Sequence, residues 1–174
     1  MNDEIDNLLG VSQIGESVAL KLDSAEKNRI ASIALVTQAH HSLDIVSRDL
    51  DHKIYDNEEF TAAVKQLATS GPKAKIRILI QDSENVIKHG HRLVELARRL
   101  TSFIDIRIQG KRFKEFNEAW LIVDSTAWIR RPFADKYNAD VDFSAARQLR
   151  ETGKAFTAMW DEADLDPNLR RLSL

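Results

Sequence analysis

Hydrophobic positions along the chain follow two distinct periods, and the switches between them predict the order of elements. The first twenty or so residues keep neither period. Asp23, with Glu26 three residues later, forms a capping box for a helix whose apolar face runs through Ile30, Ile33 and Ala34 to Thr37 or Gln38. Ser42–Ser47 alternates and is rich in β-formers, which predicts a strand. Asp56 and Glu59 form a second capping box ahead of Phe60, Ala63, Val64 and Leu67, and Gly71-Pro72 stops that helix. Lys75–Gln81 reads as a strand, Leu93, Leu96, Ala97 and Leu100 mark a helix ending near Thr101, and Ile104–Ile108 is a third strand. Trp120–Val123 and Ala127–Arg130, separated by Asp124-Ser125-Thr126, predict a hairpin. Ser144 is placed to cap a last helix carrying Leu149, Phe156, Trp160 and Ala163.

Helices alternating with strands imply an α/β fold: a mixed, mainly parallel sheet with helices on both faces and an added antiparallel hairpin. In such sheets ligands sit beyond the carboxyl ends of the parallel strands. Here those ends are Arg48–Asp51, Gln81–Glu84 and Gly110–Lys114, and the open ends of the hairpin, near Asn117 and Arg131, are expected at the same edge.

Composition narrows the function classes. A chain of 174 residues with 43% hydrophobic and 30% charged residues is enough for one packed domain. The net charge of −2 excludes binding driven by bulk positive charge, and the absence of cysteine excludes disulfides, thiolate metal sites and a cysteine nucleophile. No apolar run is long enough to cross a bilayer, and the opening MNDEIDNLLG is acidic, without a basic or apolar leader pattern. A cytoplasmic protein is the expectation. The small net charge hides an uneven distribution: −6 over residues 1–70, +6 over 71–137 and −2 over 138–174. Most members of a charge run simply solvate a helix or strand face, but a few of these cations are expected to converge on an anion.

The hairpin carries a resemblance. Asn117-Glu118-Ala119-Trp120-Leu121-Ile122-Val123-Asp124 has the length and hydrophobic dressing of the phospholipase D signature HxKxxxxD. Asn117 stands in the histidine position and Ala119 in the lysine position; Asp124 alone matches, and Arg131-Pro132 falls near the family's later Gly-Ser pair without matching it. QAHHSLDIVS, KIRILIQD, ARRL, IDIRIQ and the closing helix with Phe156 and Trp160 extend the resemblance from about residue 23 to 163. The resemblance divides the chain into an N-terminal extension (1–22), a phospholipase-D-like domain (23–163) and a C-terminal tail (164–174). DLDHKIYD, GHRLVELARRL and DPNLRRL resemble an uncharacterised bacterial group of such domains, some fused to or following an acetyltransferase of the GNAT type.

The resemblance implies paired signatures, in which one histidine attacks phosphorus, the other protonates the leaving group and the lysines hold phosphate oxygens. An amide such as Asn117 neither ionises nor offers a basic lone pair near neutral pH, and Ala119 carries no charge. The signature's ordinary phosphodiester chemistry is therefore expected to be absent. The substitute nucleophile on offer is His91, whose more ordinary reading is a helix-start residue bonded to backbone or carboxylate. His40-His41 lacks a spacing for two ligands on one metal and reads as a helix C-terminal pair. Asp49, Asp51 and Asp56 lack the glycine and closing glutamate of a calcium loop, so no metal and no cofactor are expected.

Asn117, Arg131, Arg92 and Asp124 are the candidate ligand-binding residues, since a planar guanidinium suits phosphate or carboxylate. Arg92 and Arg99, seven apart, share a helix face that otherwise pairs with Glu95 and neighbouring acids. The tryptophans Trp120 and Trp128 read as core or interface residues, and the basic-aromatic pattern of a nucleic-acid channel is weak. The leading expectation is a catalytically degenerate binding or interaction module for a phosphate-containing ligand, forming a homodimer around the hairpin edge. The alternatives are an accessory partner of a GNAT-type acetyltransferase and a phosphodiesterase or nuclease using His91.

Overall fold

The structure is a computed structural model and describes residues 2–170. Its elements run α1 (Asn2–Val11), β1 (Ala19–Leu22), α2 (Ala25–Thr37), β2 (Ser42–Ser47), α3 (His52–Tyr55), α4 (Glu58–Ala68), β3 (Lys75–Ile80), α5 (Glu84–His89), α6 (Arg92–Arg99) and β4 (Ile104–Ile108). A 3₁₀ turn (Lys111–Phe113), β5 (Ala119–Val123), β6 (Ala127–Arg131), β7 (Ala139–Asp142), α7 (Ala146–Asp161) and α8 (Pro167–Arg170) complete the chain.

The seven strands form one sheet in the order β1-β7-β6-β5-β2-β3-β4. Parallel pairing is confined to β2–β3 and β3–β4; the other four pairings are antiparallel. The sheet is thus mixed, as expected, but not mainly parallel. The difference comes from β1 and β7, whose four-residue stretches ALKL and ADVD are too short to announce themselves, and which extend the hairpin into an antiparallel half. Residues 2–22 belong to the same body: β1 pairs with β7, and Leu9 and Leu22 are buried. In the tail, Asp164 bridges to Ile108 and Leu169 is buried; residues 171–174 lie outside the described residues.

Alternation along the strands sorts side chains to two cores. Leu43, Ile45, Ile76, Ile78, Leu121 and Ile129 face a large core closed by α1 to α6. Val46, Leu79, Trp120 and Ile122 face a smaller core closed by α7 through Leu149, Phe156, Met159 and Trp160. Within the smaller core Arg77 and Asp44 form a two-bonded ion pair at 2.8 and 3.0 Å, with the guanidinium 4.7 Å from the Phe156 ring. Burial pushes the Asp44 carboxyl up against the pull of Arg77. No described helix is long and apolar enough to cross a membrane.

The helix caps sit one residue later than the capping boxes predict. Ser24 accepts from Lys27 N while Asp23 pairs with the Lys27 ammonium at 2.8 Å, and Asn57, not Asp56, accepts from Phe60 N. Ser144 makes no cap; α7 starts after Ala145 without a side-chain cap.

Candidate functional site at the carboxyl edge of the parallel strands

Strand direction decides what shares an edge. β2, β3 and β4 end at Ser47, Ile80 and Ile108, while β5 runs antiparallel to β2 and so begins at that same edge. Ala119 is in register with Arg131, which brings the end of β6 there as well. Arg48, Gln81, Gln109, Asn117 and Arg131 therefore project from one edge of the sheet.

Backbone bonds fix this edge. The Arg48 carbonyl accepts from Gln81 N at 3.0 Å and Asp82 N at 2.8 Å, tying the loops after β2 and β3 together. The Arg48 guanidinium donates to Asn117 Oδ1 at 2.6 Å, and both residues are exposed. The Asn117 carbonyl accepts from Ala134 N at 2.8 Å. The Ala134 carbonyl in turn accepts from Arg131 Nη1, as does that of Lys136, each at 3.3 Å. Asn117 and Arg131 are thus joined through the loop after β6. Arg131 itself is 3% exposed, so its charge serves those carbonyls and does not face solvent. The Gln81 amide donates to Gln109 Oε1 at 3.0 Å and to the Phe116 carbonyl, while buried Gln109 Nε2 has no partner among the described residues.

Behind Arg48 the chain turns through Leu50, which is buried with φ +54, a left-handed conformation unusual for a branched side chain. The turn is over-determined: Ser47 Oγ accepts from Leu50 N at 3.1 Å, and His91 Nε2 donates to the Leu50 carbonyl at 3.0 Å. Tyr137 donates to Asp51 Oδ2 at 2.9 Å. Asp49 is half-buried, and burial, with Asp51 and Asp82 nearby, pushes its carboxyl up.

His91 is a structural residue of this turn. Its Nδ1 accepts from Leu93 N at 3.1 Å, so the proton sits on Nε2 and both ring nitrogens are engaged. Burial pushes its pKa down to about 4, which leaves the ring neutral. Arg92 lies on the far side of that turn, where Asp56 Oδ1 accepts from both its backbone N (3.0 Å) and Nη1 (3.2 Å). Burial pulls the Asp56 carboxyl up, but the bonds from Arg92 outweigh it and hold the group below its ordinary range. His91 and Arg92 line a groove of about 530 Å³ between α4 and α6.

Asp124 is at the opposite edge of the sheet. Its carboxylate accepts from the backbone N–H groups of His40 (2.9 Å), His41 (2.7 Å) and Ser42 (2.9 Å), bracing the connection into β2. Asp124 and Ser125 both have positive φ, the sign pattern of a type I′ hairpin turn. The predicted residues are therefore divided among three places: Asn117 and Arg131 at the carboxyl edge, His91 and Arg92 at the groove, and Asp124 at the far edge. Arg48 was missed as an individual residue, although its position at a strand's carboxyl end was the available signal. Among the described residues no three His, Asp or Glu side chains group as metal ligands would.

The fold is similar to that of solved structures, a phospholipase D family member among them. Nuc from Salmonella typhimurium, a phospholipase D family member, superposes with a TM-score of 0.60 at 15% identity, over 85% of this chain and 97% of that one. NucT from Helicobacter pylori gives 0.59 at 11% identity, over 86% and 99%. TrmBL2, an archaeal chromatin protein with a novel mode of DNA binding, gives 0.64 at 13% identity over 93% of this chain, which spans 58% of TrmBL2. The chain has a phospholipase-D-like fold. It belongs to the family described as a domain of unknown function (DUF7931), whose model matches residues 24–172. No curated protein sequence matches it.

Proposed function

We propose that this domain is a catalytically degenerate phospholipase-D-like module that binds a phosphate-containing ligand at the carboxyl edge of its parallel strands. The observation that carries the reading is the exposed Arg48–Asn117 pair, which puts a guanidinium beside the amide standing in the signature's histidine position. Asn117 supplies hydrogen bonds but no titratable proton, so the edge favours binding over bond cleavage. His91 is a poor replacement nucleophile, being buried, neutral and bonded at both nitrogens. Arg131 supports the edge from beneath, through the Ala134 carbonyl. With one signature position per chain, a homodimer is the way to a paired site, and Phe133, 54% exposed in the loop after β6, offers apolar surface near the edge.

Thermal unfolding with and without phosphate, nucleotides and oligonucleotides tests the reading, with Arg48→Gln as control. Stabilisation by at least one of these anions that is lost in Arg48→Gln is expected. No stabilisation by any of them, or equal stabilisation in the variant, would overturn it.

A further inference from the structure

The groove between α4 and α6 has its own charge logic, independent of the sheet edge. Lys65 from α4 and Arg92 and Arg99 from α6 line it, together with His89 from the end of α5. Its two carboxylates are already engaged: Asp56 with Arg92 at 3.2 Å, and Glu95 with Arg98 at 2.8 Å. Lys65 and Arg99 are exposed and have no carboxylate within 4.0 Å among the described residues. Two unpaired cations thus face one concavity, beside a third held in place by Asp56.

The start of α6 does not itself bind the anion. Arg92 N is taken by the Asp56 carboxylate and Leu93 N by His91 Nδ1, so the side chains must supply the recognition. A volume of about 530 Å³ is that of a small-molecule site and too small for a duplex. A guanidinium fork and an ammonium on opposite walls suit a compact group with two or more negative oxygens. Pinning Arg92 on Asp56 lowers the ordering cost of binding.

We infer that this groove is a second site, for a small phosphate ester or diphosphate, gripped by Lys65, Arg92 and Arg99. Amide NMR titration with inorganic pyrophosphate at low ionic strength tests it. Saturable shifts are expected in Thr61–Lys65 and Gly90–Arg99. They should weaken about tenfold or more in the double variant Lys65→Gln/Arg99→Gln and with added salt. Both substituted side chains are exposed, so the variant should keep its fold. Arg48→Gln should leave these shifts unchanged. Shifts confined to Arg48, Gln81 and Asn117 would overturn the groove while supporting the edge. Unchanged affinity in the double variant would overturn it too. So would saturable binding of a short single-stranded oligonucleotide here with none of pyrophosphate.

Discussion

Arg48 donates to Asn117 Oδ1 at 2.6 Å across the β2–β5 junction, so the residue in the histidine position of the signature is a hydrogen-bond partner of an exposed cation. Asn117→Asp would place a permanent carboxylate on that guanidinium. The pair is exposed, so stability should change by less than about 1 kcal/mol. Anion binding at the edge should be abolished, because the variant supplies its own anion. Calorimetric titration beside a melting curve separates the two effects, and undiminished anion affinity would contradict this view of Arg48.

Asp124 is expected to be a brace and not a ligand contact. Asp124→Ala removes the acceptor for three backbone N–H groups and puts alanine at a positive φ. A loss of about 2 kcal/mol or more is expected, with Asp124→Asn costing less. Denaturant unfolding gives the stability, and anion affinity of the folded fraction should stay at the wild-type value.

His91 makes stability depend on pH. Its folded pKa of about 4 lies below the ordinary 6.5, so the unfolded chain binds more protons between those values. Stability from this group is complete above about pH 6.5, falls as the pH drops through that window, and stops changing near pH 4; a shift of this size corresponds to roughly 3 kcal/mol. His91→Gln should flatten that part of the profile. An unchanged slope between pH 7 and pH 4 would assign the effect to other groups.

The largely buried Arg77–Asp44 pair should tolerate a double replacement better than a single one. Arg77→Met leaves a desolvated carboxylate and should cost about 3–5 kcal/mol. Asp44→Leu with Arg77→Met should return to within about 1 kcal/mol of wild type, since burial already opposes the charge on Asp44. A double-mutant cycle in denaturant measures the coupling.

The parallel strands and the hairpin were legible because SLDIVS, KIRILI, IDIRI and AWLIV bury apolar residues at their own period. β1 and β7 were not, because Lys21, Asp140 and Asp142 lie on a partly exposed sheet face, and four residues make no pattern. The caps shifted by one because Asp23 and Asp56 found cations elsewhere, on Lys27 and on Arg92. Asn117 and Arg131 could be placed together from strand direction alone. That Arg131 would turn inward, and that Lys65 would face Arg92 and Arg99, depended on the packing of the loop after β6 and of α4 on α6, which no local pattern encodes.

On the proposed function, the carboxyl edge binds a phosphate-containing ligand and does not cleave it. Release of para-nitrophenol from bis(para-nitrophenyl) phosphate by the purified protein measures this most directly. No turnover above the buffer blank is predicted. Turnover that is present in the wild type and lost in His91→Ala or Asn117→Ala variants that still unfold cooperatively would contradict it.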